Sequence, residues 1–266
     1  MSRKNWTNEK IFNRLVKVKT ESAYWANIFE LRKRPTQKTF AYCGQLLTSE
    51  EPKKRRIALD ILAQLGSLPR PFYKETLELL FKQLELETQE SVIQSALHAV
   101  GHNNQDITDA QTAILVKFNE HKSPQVRYSL VFALLGVDNQ MAIITMISLS
   151  TEPDTETRDW ATFGLGTQIG THSKQITEAL WARINDKNKL VRLEALMGLA
   201  KRKGPSIHKV IMQDLINEKY DTLLFEAIEE LQNVDFLHQL RLNLKDSKLN
   251  LSAEWKTEIE NCIKKL

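Results

Sequence analysis

Between residues 93 and 232 the apolar positions recur with a helical period, and one pattern keeps returning. Segments 125–136, 156–166 and 190–200 align as copies when Arg127, Arg158 and Arg192 are superposed. Three residues on stand Leu130, Ala161 and Ala195. Six on stand Ala133, Gly164 and Gly198, and seven on stand Leu134, Leu165 and Leu199. Spacings of three, six and seven mark one face of an α-helix. The small residues among them let a neighbouring helix approach near the low end of the roughly 8–10 Å interaxial range. Weaker copies begin at Ile93 (with Ala96, Ala99 and Val100) and at Leu224 (with Ala227, Glu230 and Leu231). The anchors 93, 127, 158, 192 and 224 are 34, 31, 34 and 32 residues apart, the drifting period of diverged repeats.

A second amphipathic segment lies between successive copies, at 109–119, 141–150, 175–185 and 206–217. Each repeat therefore reads as helix A, turn, helix B. The turns carry helix stop and start residues: Ser123-Pro124, Pro153-Asp154, Asp186 with Asn188, and Gly204-Pro205-Ser206. Upstream, Pro52 opens a helix that runs to Gly66, and residues 36–47 supply its partner. Residues 7–33 make two further helices holding Trp6, Phe12, Trp25, Ile28 and Phe29. Residues 234–266 give a short helix and a final one through Trp255, Ile259 and Ile263. The pattern predicts an all-α protein, an α-α superhelix of about seven helical pairs. It is expected to be a single array over 1–266, with basic cap helices at 1–35, repeats over 36–232 and a C-terminal cap at 233–266.

Composition agrees. Nine glycines and seven prolines in 266 residues are about half the usual share, which excludes collagen-like, Gly/Ser-rich and turn-dense all-β chains. Two distant cysteines, Cys43 and Cys262, point to no disulfide scaffold. The first twenty residues hold no apolar run of the kind that directs secretion, and the most apolar stretch, 141–149, is about half a membrane span. The expected compartment is the cytoplasm. The net charge of +4 hides an asymmetry. Residues 1–56 carry 14 basic and 5 acidic residues, while the remainder is net negative. The basic clusters are Arg32-Lys33-Arg34 and Lys53-Lys54-Arg55-Arg56, a patch suited to an anion or an acidic partner, or simply solvated cations at helix ends.

The motif Val-Arg-x-x-Ala-x-x-(Ala/Gly)-Leu-Gly at this period resembles HEAT repeats, and most of all the short bacterial kind named for phycobilisome lyases. TRDWATFGLG at 157–166 and VRLEALMGLAKR at 191–202 carry the resemblance. It is strong over 88–203 and weaker out to 36 and 232. It implies a superhelix whose B helices line the concave side, and it implies no particular reaction. In such stacks the arginine row pairs with acids or carbonyls in neighbouring turns. The resemblance thus assigns Arg127, Arg158 and Arg192 to a structural ladder, with Asp154 and Asp186 in suitable turns.

If positions +3, +6 and +7 face the core, +2 and +5 look outward. This places Phe132, Trp160, Phe163, Glu194 and Met197 together on the concave surface, where clustered aromatics and methionine suit a protein-binding hot spot. Chemistry is otherwise sparse. The sequence has no P-loop, no GxSxG and no HExxH motif, so no catalytic residue, cofactor or metal is assigned. His98 and His102 stand four apart on a helix, a spacing zinc accepts, but two histidines fall short of a site. No histidine is followed by glutamate, which excludes the HEAT-like deoxyhypusine hydroxylases. A lyase reading rests on the repeat's name alone. The expected function is a non-enzymatic module or scaffold that binds a protein or peptide. Two alternatives stay open. One is a nucleic-acid binder or HEAT-like alkylpurine DNA glycosylase, for which Asp159, Trp160, Trp181, Arg158 and Arg192 supply residue types. The other is an inhibitor or immunity-type protein that blocks a toxin or enzyme.

Overall fold

A computed structural model describes residues 3–204, 206–246 and 251–266. The described residues are all helix and turn, with no strand. Contacts divide the chain into two compact units, Met1–Thr145 and Met146–Leu266.

The first unit contains α1 (Asn8–Lys17), α2 (Glu21–Arg32), α3 (Gln37–Leu47), α4 (Pro52–Leu62), α5 (Tyr73–Leu86), α6 (Glu90–Gly101), α7 (Asp109–Leu115) and α8 (Pro124–Leu134). The division falls within α9 (Gln140–Leu149). The second unit continues with α10 (Thr155–Phe163), α11 (Lys174–Arg183), α12 (Lys189–Lys201), α13 (Ile207–Ile216), α14 (Thr222–Leu231), α15 (Phe236–Lys245) and α16 (Ala253–Lys265). The repeat period thus resolves into consecutive helix pairs, with α1 and α2 forming an additional pair in the basic N-terminal segment.

Packing follows the parity of the helices. Even helices stack in succession, α2 on α4, α4 on α6 and α6 on α8 in the first unit, and α10 on α12, α12 on α14 and α14 on α16 in the second. Odd helices pack against their even partners, as α3 does on α4 and α11 on α12. The stripe that sets the repeat supplies the core: Ile57, Ala58, Ile61 and Leu62 in α4, Ala96, Ala99 and Val100 in α6, and Ala195, Gly198 and Leu199 in α12 are all buried.

The start signals act as expected from their chemistry. Pro52 and Pro124 occupy the first turns of α4 and α8, where the missing N–H costs nothing. Thr108 forms a reciprocal capping box with Gln111. Asp154 and Asn188 cap α10 and α12 by accepting from backbone N–H groups of the first turn. Pro205 lies outside the described residues.

One local departure from a continuous helix occurs at Gly164–Gln168, which widens into a π turn at the end of α10. Arg202 accounts for its carbonyls. Its guanidinium donates to Gly166 O at 2.6 Å, Leu165 O at 2.7 Å and Ile169 O at 2.9 Å. Gly166 packs closely against α12, where an added Cβ would fall 3.1 Å from Glu194 O and from the Gly198 Cα.

Candidate binding surfaces

Arg158 and Arg192 each reach an acid further along the chain, and Arg55, which lies outside the sequence motif, does the same. Arg158 donates through Nη1 to Glu152 O and Pro153 O in the turn before its own helix, at 2.8 and 2.9 Å. Its Nε and Nη2 then fork onto Asp186 from the following repeat, at 3.2 and 3.3 Å. Arg127 reaches His121 O at 2.7 Å in the equivalent turn. Arg192 pairs with Asp214, so the acid here comes from helix α13 and not from Asp186. Asp154 serves as the cap of α10, accepting from the Thr157 N–H and hydroxyl.

The extra rung is Arg55. It donates to Ser49 O and Glu50 O, six and five residues back as Arg158 does, and forks onto Glu87 at 2.7 and 2.8 Å. Burial alone would raise the Glu87 carboxyl. Hydrogen bonds from Arg55, Gln83 and the N–H groups of Thr88 and Gln89 outweigh it and hold Glu87 near about 2. The signal was present in the sequence, since Pro52 and Arg55 repeat the spacing of Pro124 and Arg127.

This corrects the basic patch. The seven cations expected to act together do not share one surface. Arg55 belongs to the ladder. Arg34 clamps the N-terminus, binding Glu30, the Asn8 side chain and the carbonyls of Arg3, Lys4 and Trp6. Lys54 pairs with Glu51 at 2.5 Å in solvent. Lys33 is exposed beside Arg70 at a separate hollow. Only Arg32, Lys53 and Arg56 come together, and they do so in a cleft.

That cleft, of about 680 Å³, is formed by three even helices of the first unit. Each presents residues at helical spacing to the same space: Tyr24, Trp25 and Arg32 from α2, Lys53, Arg56 and Asp60 from α4, and Ser91, Ser95 and His98 from α6. Asp60 sits at the floor, almost fully buried. The Tyr24 hydroxyl donates to its Oδ2 at 2.5 Å, and Arg56 Nε lies 3.9 Å from the same oxygen. Burial pushes the Asp60 carboxyl up, against the pull of Tyr24, Ser95, Arg56 and Arg32. Burial likewise raises the Tyr24 hydroxyl and lowers His98. His102, beside them, is lowered by burial and by the charges of Arg32, Arg70 and His98. Arg32 is anchored through Nε to Asp60 O at 2.9 Å and through Nη1 to Gln64 at 2.7 Å.

The second unit carries a surface of opposite character. Trp160, 37% exposed, packs edge-on against Phe163 at 5.6 Å on α10. Glu194 on α12 is half-buried and is pushed up to about 7, by burial first and then by the charges of Asp159 and Glu226, with Lys201 opposing. Asp159 is raised by burial, and its buried Oδ1 accepts no hydrogen bond.

Of the five residues expected together, Trp160 and Phe163 meet on α10, and Glu194 on α12 feels the charge of Asp159. Met197 is only 8% exposed and packs in the interior, so it presents no anchor. Phe132 lies in the first unit, half-buried, with its ring 5.1 Å from His98 and 5.0 Å from Tyr128. The outward assignment of +2 and +5 fails where even helices interlock. There Ser129 at +2 is buried and contacts His98 at +5 of the preceding repeat, Oγ to Nε2 at 3.2 Å. Among the described residues no group of three or more His, Cys, Asp or Glu side chains could hold a metal ion, and no helix is long and apolar enough to cross a membrane.

No family model matches the chain. Protein YibA of Escherichia coli K12 is 32% identical over 111 residues, a match spanning 41% of this chain and 39% of YibA's own length. The X-ray structure of E. coli YibA superposes over 98% of this chain and 93% of that one, with a TM-score of 0.72 and 21% identity. An archaeal HEAT-like repeats protein from Thermococcus onnurineus NA1 covers 98% of this chain and 97% of its own, with a TM-score of 0.50 and 12% identity. A designed armadillo repeat protein in complex with the peptide (KR)4 covers 85% and 98%, with a TM-score of 0.50 and 17% identity. These likenesses, together with the arginine ladder and the parity of packing, show that the chain has the all-helical HEAT-like repeat fold.

Proposed function

We propose that the protein is a non-enzymatic binding module that captures a basic segment of a protein partner on the even-helix face of its second unit. In this reading residues 36–232 act as one array, capped at both ends, in the cytoplasm of a bacterium. The observation that carries it is the pairing of the Trp160–Phe163 edge with the carboxylates of Asp159, Glu194 and Glu226. Burial first, and then the charges of Asp159 and Glu226, push Glu194 up, and a lysine or arginine side chain would relieve the part that is repulsion. The aromatic edge supplies an apolar and cation-accepting surface for the same side chain. The designed repeat protein that shares this fold holds a peptide of alternating lysine and arginine. The same acidic character argues against nucleic acid, whose phosphates need cations spread along the groove.

The test is calorimetric titration of the full chain with a Lys/Arg octapeptide. Saturable binding is expected, weakened at least tenfold by Trp160→Ala combined with Glu194→Lys. It should also strengthen from pH 6 to pH 8 as Glu194 ionises. Absence of saturation, or a double variant that binds as well as the parent, overturns the reading.

A further inference from the structure

We infer that the cleft between α2, α4 and α6 is a binding site for a phosphomonoester carried on an aromatic body. This is a surface and a ligand chemistry distinct from the basic-segment site proposed above. The charge of the cleft is the first reason. Its walls hold four cations, Lys19, Arg32, Lys53 and Arg56, against two carboxylates, Glu21 and Asp60. The surplus of two matches the charge of about −1.5 to −2 on a phosphomonoester at neutral pH.

The cations are also under-compensated. Arg32 has no ion pair among the described residues. Its hydrogen bonds go to a carbonyl and an amide; burial lowers Arg32 most, and the charge of Asp60 offsets that in part while the neighbouring Arg70 adds repulsion. Among the described residues, Lys53 donates to the carbonyls of Val16 and Val18 at the end of α1, at 2.7 and 3.1 Å, and to no carboxylate. Arg56 lies 3.9 Å from Asp60, and that carboxylate is already engaged by Tyr24 at 2.5 Å. The guanidinium donors that remain can meet the oxygens of a phosphate with charge-assisted hydrogen bonds.

Size and walls supply the second reason. A bare phosphate would leave most of 680 Å³ unfilled, whereas this volume lies in the usual range for organic ligands. Trp25 borders the space, its ring 5.4 Å from Tyr24 and 5.8 Å from the Arg32 guanidinium, which gives a flat body an aromatic wall beside the cations. Ser91, Gln94 and Ser95 add neutral donors from α6. A phosphomonoester with an aromatic group comes either from a free nucleotide, in which ribose joins the phosphate to the base, or from a phosphorylated tyrosine side chain, and the geometry suits the chemistry they share.

The experiment titrates the full chain with adenosine 5′-monophosphate, with a short phosphotyrosine peptide and with inorganic phosphate. One of the first two is expected to bind at least tenfold more tightly than inorganic phosphate, and the tighter one identifies the source. Arg56→Gln, whose side chain is 40% exposed, should lower that affinity at least tenfold when titrated at a temperature where circular dichroism shows it as fully folded as the parent. Lys53→Gln should do the same to a smaller degree, and Trp160→Ala should have no effect. If none of the three probes saturates, if inorganic phosphate binds as tightly as the aromatic phosphates, or if both cleft variants bind like the parent, the inference is wrong. A failure here leaves the basic-segment proposal standing, because the two sites are read by different probes and different variants.

Discussion

Gly166 and Gly198 meet with no room for a side chain between them: a Cβ on Gly198 would fall 2.5 Å from the Gly166 Cα and 3.1 Å from a Leu180 methyl. The contact sets the approach of α12 to the π turn after α10. Gly198→Ala should therefore destabilise the chain by about 1–3 kcal/mol through overpacking. Gly44→Ala is the control. It sits inside α3 with nothing within 4 Å of the added carbon, and should gain about 0.5–1 kcal/mol from helix propensity. Urea denaturation of the two variants checks the opposite signs.

The Arg55–Glu87 rung carries a pH signature. Glu87 falls from an ordinary value of 4.5 to about 2 in the folded chain, so its contribution is complete above about 4.5 and disappears as pH falls toward 2. A Glu87→Gln variant should lose stability at pH 7, by about 1.5–3 kcal/mol, because the amide keeps an acceptor but loses the charge that faces Arg55. It should also lose the parent's dependence on pH in that acid window. Melting temperatures measured between pH 2 and pH 7 decide it.

Glu194 shifts the other way. Its folded value, about 7, lies above the ordinary 4.5, so the folded state holds the proton longer than the unfolded chain. Its contribution is most favourable below about pH 4.5 and is lost as pH rises through 7. Glu194→Gln should raise the melting temperature at pH 8 and leave it unchanged near pH 4.

Tyr24 and Asp60 form the buried floor of the first-unit cleft, joined at 2.5 Å. Tyr24→Phe removes the donor without changing the ring and should cost about 1.5–3 kcal/mol, the range for a hydrogen bond to a charged group. Equilibrium unfolding of the variant reads this directly.

The sequence discloses the fold because a repeat writes the same local rule several times. Arg127, Arg158 and Arg192 with small residues at fixed offsets are enough to place the even helices and the turns before them. The cleft was not legible, since Trp25, Arg32, Arg56, Asp60 and His98 come from three helices and become neighbours only when α2, α4 and α6 stack. No local motif contains them. Asp60 occupies the +5 position counted from Arg55, but without Arg55 recognised as a rung that register was hidden among four consecutive cations. Met197 was misassigned for a related reason. A helical wheel places +5 opposite the core stripe, and only the neighbouring helix reveals that the position is covered.

The ladder also gives the chain a direction of dependence. Arg55 and Arg158 each hold the carbonyls of the turn before their own helix, and Arg55, Arg158 and Arg192 each take a carboxylate from further along the chain: Glu87, Asp186 and Asp214. Cutting the chain back from its C-terminal end strands a guanidinium that is folded into place and has lost its counter-charge. Cutting from the N-terminal end strands a carboxylate that still accepts backbone N–H groups, as Glu87 does from Thr88 and Gln89 and Asp186 does from Asn188. Nested truncations from the two ends are thus unequal operations, and the last repeat of a shortened chain, not the first, is where it should unravel.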